Sequence, residues 1–132
     1  MRYGISAGAI IVRGSTVLLV NHWGPGYDFW VPPGGTLEGD ESIFNCARRE
    51  TLEETCLSVD LGRIAYIQEI VESGYHFVKF SVVAKSSTGT LTIENRAADE
   101  DFLVDARFFA RDELGGLTVY PERISGEFWA DL

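Results

Sequence analysis

The sequence predicts a mixed α/β sandwich, and three features predict it. Four apolar, β-branched runs, residues 5–12, 16–20, 64–71 and 75–84, have strand character. Residues 42–55 hold neither Gly nor Pro, and their Ala, Arg, Leu and Glu content favours a helix. Segments bearing Gly or Pro separate these blocks.

In chain order, residues 5–12 and 16–20 flank Arg13, Gly14 and Ser15, a spacing that predicts an opening antiparallel hairpin. The segment from Trp23 to Asp28 carries Gly-Pro-Gly and reads as a loop, followed by strand-like residues 29–31 and the turn-forming Pro32, Pro33, Gly34 and Gly35. Asp40 or Ser42 can cap the helix that follows. Residues 64–71 and 75–84, joined by Glu72, Ser73 and Gly74, predict a second hairpin. Residues 91–93 suggest a short strand, 94–101 a polar loop, 105–109 a strand and 112–114 a helical turn. Residues 121–129 begin with Pro and suggest a closing helix. The pattern does not specify how the strands connect.

A chain of 132 residues suits one domain, residues 1–132, able to bury roughly two thirds of the surface its unfolded form would expose. Twenty acidic residues against eleven basic ones argue against nucleic acid or anionic lipid as partners, because both are gripped by clustered Lys and Arg. No basic stretch leads into an apolar run with a cleavage site after Met1, and no segment approaches membrane-spanning length. The expected compartment is the cytoplasm. Cys46 and Cys56, the two cysteines, would lie about 15 Å apart along one helix, beyond disulfide reach, and read as small buried hydrophobes.

The charge pattern inside the predicted helix is the informative feature. Glu50, Glu53 and Glu54 stand at i, i+3 and i+4, within an arc of about 100°. Like charges at this spacing repel, more strongly where solvent is excluded. The helix contains no Lys, and Arg49 cannot neutralise all three. An acidic helix face is ordinarily solvated. The other reading is a divalent cation, since Mg²⁺ or Mn²⁺ takes hard oxygen ligands and fills its remaining positions with water and phosphate oxygens. Such ions also let an acidic protein hold a polyanionic phosphate compound.

The surroundings of these glutamates decide between the two. Gly35 is followed by five residues and Glu41, then seven residues and Arg49-Glu50, then Glu53-Glu54 and finally Leu57. This stretch resembles the box of the Nudix hydrolase superfamily, and the preceding Pro33-Gly34 is similar to the family's entry into it. Two positions depart from the pattern: Thr51 replaces a bulky aliphatic, and Cys56 replaces the Gly that closes the helix. Neither removes a ligand, although Cys56 must accept strain of order 1 kcal/mol or end the helix differently.

The resemblance implies a Nudix-type α/β/α sandwich with a mixed β-sheet. It implies a Mg²⁺-dependent hydrolase, with Mn²⁺ as a substitute, that cleaves a nucleoside diphosphate linked to another moiety: a nucleoside triphosphate, ADP-ribose or another sugar nucleotide. The alternative is a non-catalytic domain of the same fold that senses a nucleotide. Glu50, Glu53 and Glu54 match the metal-binding positions, and Glu53 is the first choice for positioning or deprotonating the attacking water. Arg49 would orient a catalytic carboxylate. Gly34 and Gly35 would let the backbone approach metal and phosphates, and Glu41 would support the loop of the box. The family often adds a carboxylate from a distant loop; Glu94, Asp99, Glu100 and Asp101 are candidates, with Glu100 preferred. Trp23 and Tyr27 are candidates to stack on a base, whereas Phe29 and Trp30 read as core, and His22 and His76 as structural or surface residues. The expected partner is a small diphosphate-containing molecule, with a homodimer among the allowed assemblies.

Overall fold

The computed structural model describes residues 1–97 and 100–130. Nine elements organise it: strands β1 (Arg2–Ile10), β2 (Val12–Arg13), β3 (Thr16–Gly24), β4 (Tyr27–Val31) and β5 (Gly34–Thr36), helix α1 (Ile43–Thr55), and strands β6 (Ser58–Glu72), β7 (Tyr75–Thr88) and β8 (Leu103–Ala110). One sheet runs β5-β1-β7-β6 and is mixed, because β1 lies parallel to β7 while its other pairings are antiparallel. In the second, β3 pairs with β2, β4 and β8, all antiparallel.

The opening hairpin forms only at its tip. Val12 and Arg13 pair with Val17 and Thr16, but β1 belongs to the other sheet, where Arg2–Ile10 matches Tyr75–Val83 residue for residue. The chain therefore changes sheet at Ile11, whose carbonyl still accepts from the Leu18 amide at 2.9 Å. The β-branched pattern identifies a strand but not its partner, and here the partner is some seventy residues away.

Alternation along β1 serves two cores. Ala7, Ala9 and Ile11 face α1, packing with Cys46, Ala47, Leu57 and Val82. Ile10 faces the other way, toward Val17, Leu19, Trp30, Phe109 and Phe128. Gly8 allows close backbone contact: a Cβ there would collide with the Pro33 carbonyl, which accepts from the Ala9 amide at 3.1 Å. This brings the entry to α1 against the middle of the sheet.

Helix α1 starts as expected, with the Ser42 hydroxyl accepting from the Asn45 amide at 3.1 Å. It ends at Cys56 in the left-handed region, φ 62° and ψ 15°, with the Cys56 amide still donating to the Leu52 carbonyl. The helix thus closes in the geometry for which Gly is suited, with a Cys in the place of strain. The second hairpin forms and is longer than the apolar runs, since irregularities between Asp60 and Tyr66 let β6 bend and continue from just beyond Leu57.

Two expected elements are absent. Residues 91–93 form no strand: the Thr92 amide donates to the Thr55 carbonyl at the end of α1, and Ile93 packs against the cluster of Val20, Val31 and Leu103. The closing helix is replaced by two short 3₁₀ turns, Glu122–Ser125 and Glu127–Ala130, separated by Gly126 at φ −147°. Ile124 and Phe128, four residues apart, are both buried there, so tertiary packing satisfies the amphipathic pattern without a continuous helix.

Candidate metal centre

Residues 34–57 assemble the site by bringing the end of β5 against the carboxylate-bearing face of α1. Along that helix the buried positions are Cys46, Ala47, Glu50, Thr51, Glu54 and Thr55, the face that meets the mixed sheet. Glu50 and Glu54 stand one turn apart on it and are 8% and 1% exposed. Glu53 lies on the outer side, its side chain 45% exposed.

Glu100, half-buried beyond β7, completes a group with Glu50 and Glu54 in which one oxygen of each lies within 4.8 Å of the others. Glu100 is held locally, its backbone amide donating to the Ala97 carbonyl and its carboxylate accepting from the Ala97 amide. Among the described residues, Glu94 and Asp101 do not join this group. Asp99 lies outside the described residues.

The glycines shape the wall. The Gly34 amide donates to Glu54 Oε1 at 2.8 Å, so the carboxylate is aimed by the backbone. Gly35 leaves room for Glu50, since a Cβ there would overlap the Glu50 carboxyl group, and its carbonyl accepts from Cys46 Sγ at 3.5 Å.

Arg49 ties the rim together. Its Nε and Nη2 donate to the two oxygens of Glu41 at 3.0 and 2.7 Å, a bidentate pair. Nη1 donates to Glu50 Oε1 at 2.9 Å and lies 3.4 Å from Glu53 Oε2, while Nη2 also reaches the Thr36 carbonyl at 3.1 Å. The guanidinium holds the Glu41 carboxyl down at about 2, with the Glu38 amide assisting. Glu41 therefore fixes Arg49, and Arg49 fixes Glu50.

The inner carboxylates behave in the opposite sense. Burial pushes Glu54 up to about 9, reinforced by a shared hydrogen bond and charge repulsion from Glu100 and opposed by the Gly34 amide. Burial also raises Glu50, against the pull of Arg49. Three carboxylates in a partly dry site cannot all be ionised without a cation. The donor set is entirely hard oxygen, with no His or Cys sulfur in the group, which fits Mg²⁺ or Mn²⁺ rather than a thiophilic ion.

Of the remaining sequence candidates, Trp23, Tyr27 and His22 sit on or near the β3-β4 turn, and His76 lies in β7 of the other sheet. Trp23 is 56% exposed and Tyr27 43% exposed, with Tyr27 lying over Gly24 and 6.0 Å from the Phe29 ring. His22 packs between Phe29, tilted at 5.0 Å, and Phe102, edge-to-face at 4.8 Å, and its Nε2 is buried without a hydrogen-bond partner among the described residues. Burial, followed by the charge of Lys79, lowers its pKa to about 4. His76 bonds Glu69 at 2.8 Å. Sequence reasoning passed over Lys79, within electrostatic reach of both Glu54 and His22. Its signal was a single charged residue inside the apolar run of β7.

The NUDIX domain family model matches residues 2–127. No curated protein matches the sequence. Solved structures do match the fold. A MutT NUDIX hydrolase from Burkholderia pseudomallei has a TM-score of 0.79 and 23% identity, covering 96% of this chain and 98% of that one. The E. coli ORF135 protein gives 0.75 and 21%, covering 94% and 85%. A mutator MutT protein from Bacillus halodurans gives 0.69 and 24%, covering 96% and 80%. Among the described residues, no helix is long and apolar enough to cross a membrane.

Proposed function

The chain belongs to the NUDIX family, and from that premise we propose that it is a divalent-metal-dependent pyrophosphohydrolase acting on a nucleoside diphosphate linked to another moiety. The observation that supports this most is the group of buried Glu50 and Glu54 with half-buried Glu100, an arrangement too repulsive to be a set of solvated surface acids.

In this reading Glu50, Glu54 and Glu100 would hold Mg²⁺, or Mn²⁺ in its place. When bound, the ion supplies charge neutralisation of the diphosphate and acidifies water. Arg49 keeps Glu50 aimed inward, and Glu41 keeps Arg49 from swinging into solvent. Glu53, exposed and 3.4 Å from Arg49, would accept a proton from the attacking water. Water oxygen bonds to phosphorus, the bridging P–O bond breaks, and the departing phosphate takes up a proton. Gly34 serves the site through the amide that orients Glu54, and Gly35 through the space it leaves for Glu50. Trp23 and Tyr27 are proposed to meet the organic moiety from the β3-β4 turn.

The test is a panel of nucleoside triphosphates, ADP-ribose and other sugar nucleotides, incubated with Mg²⁺ or Mn²⁺ and read by product mass. Turnover that is metal-dependent and lost in Glu54→Gln, with the fold intact, is the expected result. Tight ligand binding without any product across the panel would replace the hydrolase with a sensor, and undiminished turnover in Glu54→Gln would remove the group from the chemistry.

A further inference from the structure

Lys79 is the charged group that the proposed metal chemistry leaves unused. It lies in the middle of β7, with Ser6 of β1 and Gln68 of β6 as its register partners. Phe80 and Val82 pack on the α1 side of the sheet, so Lys79 projects from the opposite face, as Ser81 does. On that face the neighbouring strand offers Ser6 and then Gly8, and Gly8 lies beside Gly34, whose amide holds Glu54. At Gly8 and Gly34 the two backbones are in close contact, the room a Cβ would need being taken by the facing chain, so the width of β1 is what separates Lys79 from the Gly34 amide that holds Glu54.

The Lys79 ammonium has no hydrogen bond or ion pair among the described residues; burial lowers its pKa, and the charge of Glu54 opposes that shift. Arg49, the other cation at the site, is already engaged by Glu41, Glu50 and Glu53. A partly buried ammonium without a partner is costly unless an anion joins it. Beyond Gln68 the same surface opens into a cleft of about 550 Å³ between β6 and the segment Tyr120–Arg123, and Tyr120 stacks edge-on against Phe29 at 5.6 Å. Lys79 therefore stands between the carboxylate group and a cleft wide enough for the organic part of a substrate.

We propose that Lys79 is a substrate-binding residue whose ammonium takes a phosphoryl oxygen of the diphosphate on the side away from the carboxylate group, directing the organic moiety toward Gln68 and Tyr120. This rests on the hydrolase reading above and deepens it. Metal ions would neutralise the phosphate oxygens facing Glu50, Glu54 and Glu100, and Lys79 would meet an oxygen they do not reach. A Lys suits the task as a compact charge on a flexible stem.

Inorganic pyrophosphate is the probe, titrated by calorimetry into the full-length protein saturated with Mn²⁺, with Mn²⁺ binding alone measured by water proton relaxation. Lys79→Met, which keeps the apolar stem, should weaken pyrophosphate by about tenfold or more, as expected for losing a charged hydrogen bond. Mn²⁺ affinity should hold or rise, because a cation beside Glu54 has been removed, and Lys79→Arg should recover part of the loss. Thermal melting checks the fold, and Lys79→Gln serves if the Met variant does not fold. Unchanged pyrophosphate affinity overturns the inference, as does a joint loss of Mn²⁺ and pyrophosphate, which would make Lys79 a support for Glu54. Wild-type protein that binds Mn²⁺ without pyrophosphate also overturns it. Wild-type protein that binds no Mn²⁺ refutes the hydrolase reading beneath it.

Discussion

Gly35→Ala separates the stability of the fold from the integrity of the carboxylate group. An added Cβ would sit 2.5 and 2.6 Å from the two Glu50 oxygens and closer still to Cδ, well inside van der Waals contact. Backbone cannot yield easily there, because Gly35 pairs with Ala7 in the sheet and its carbonyl accepts from Cys46. The Glu50 carboxyl is the end of a flexible side chain, so it moves instead. Moving it breaks the 2.9 Å bond to Arg49, a loss of about 1.5–3 kcal/mol for a charged hydrogen bond. Glu41 still holds Arg49 through two bonds, so the rim should survive and the protein should remain folded. A ligand displaced from its place should cost about 10–100-fold in Mn²⁺ affinity, the range seen when the groups that orient a ligand are removed. Water proton relaxation with Mn²⁺ and thermal melting measure the two effects side by side. Gly115→Ala is the control, since a Cβ there meets nothing within 4 Å. Wild-type Mn²⁺ affinity in folded Gly35→Ala would refute the placement of Glu50.

Two further outcomes follow from single positions. Cys56→Gly should stabilise the protein by about 1 kcal/mol, or roughly 4 °C in melting temperature, by relieving a left-handed φ of 62°, and an unchanged or lower melting temperature would show the strain is absorbed elsewhere. Burial holds the His22 pKa down to about 4 from the ordinary 6.5, so the unfolded chain binds its proton first. The stability this residue contributes is therefore present above about pH 6.5 and lost as pH falls through 4, about 1–2 kcal/mol after allowance for solvent. His22→Leu should flatten that part of the stability-against-pH curve, measured by denaturant melts at pH 7, 5.5 and 4, and an identical slope in the variant would disprove the assignment.

Elements set by local chemistry were legible in the sequence. The helix over α1, its Ser42 cap, the β6-β7 hairpin and the spacing of Gly35, Glu41, Arg49 and the glutamates all depend on neighbours a few residues away. The same locality misled at residues 121–129, where an apolar pattern that a helix could satisfy is met by two 3₁₀ turns broken at Gly126. It also misled at residues 5–12, whose strand character gave no sign that β1 would pair in parallel with β7.

By itself, the sequence determined that three glutamates share one side of a helix, because the α-helical period places i, i+3 and i+4 within a single arc. Only the tertiary structure decided which of them are buried together. The mixed sheet covers Glu50 and Glu54, Arg49 keeps Glu53 at the rim, and the loop before β8 brings Glu100 from forty-six residues beyond Glu54. Periodicity fixes angles about one helix axis, whereas burial and charge repulsion depend on what packs against that axis, and the chain supplies those partners from β5, β7 and the loop near residue 100.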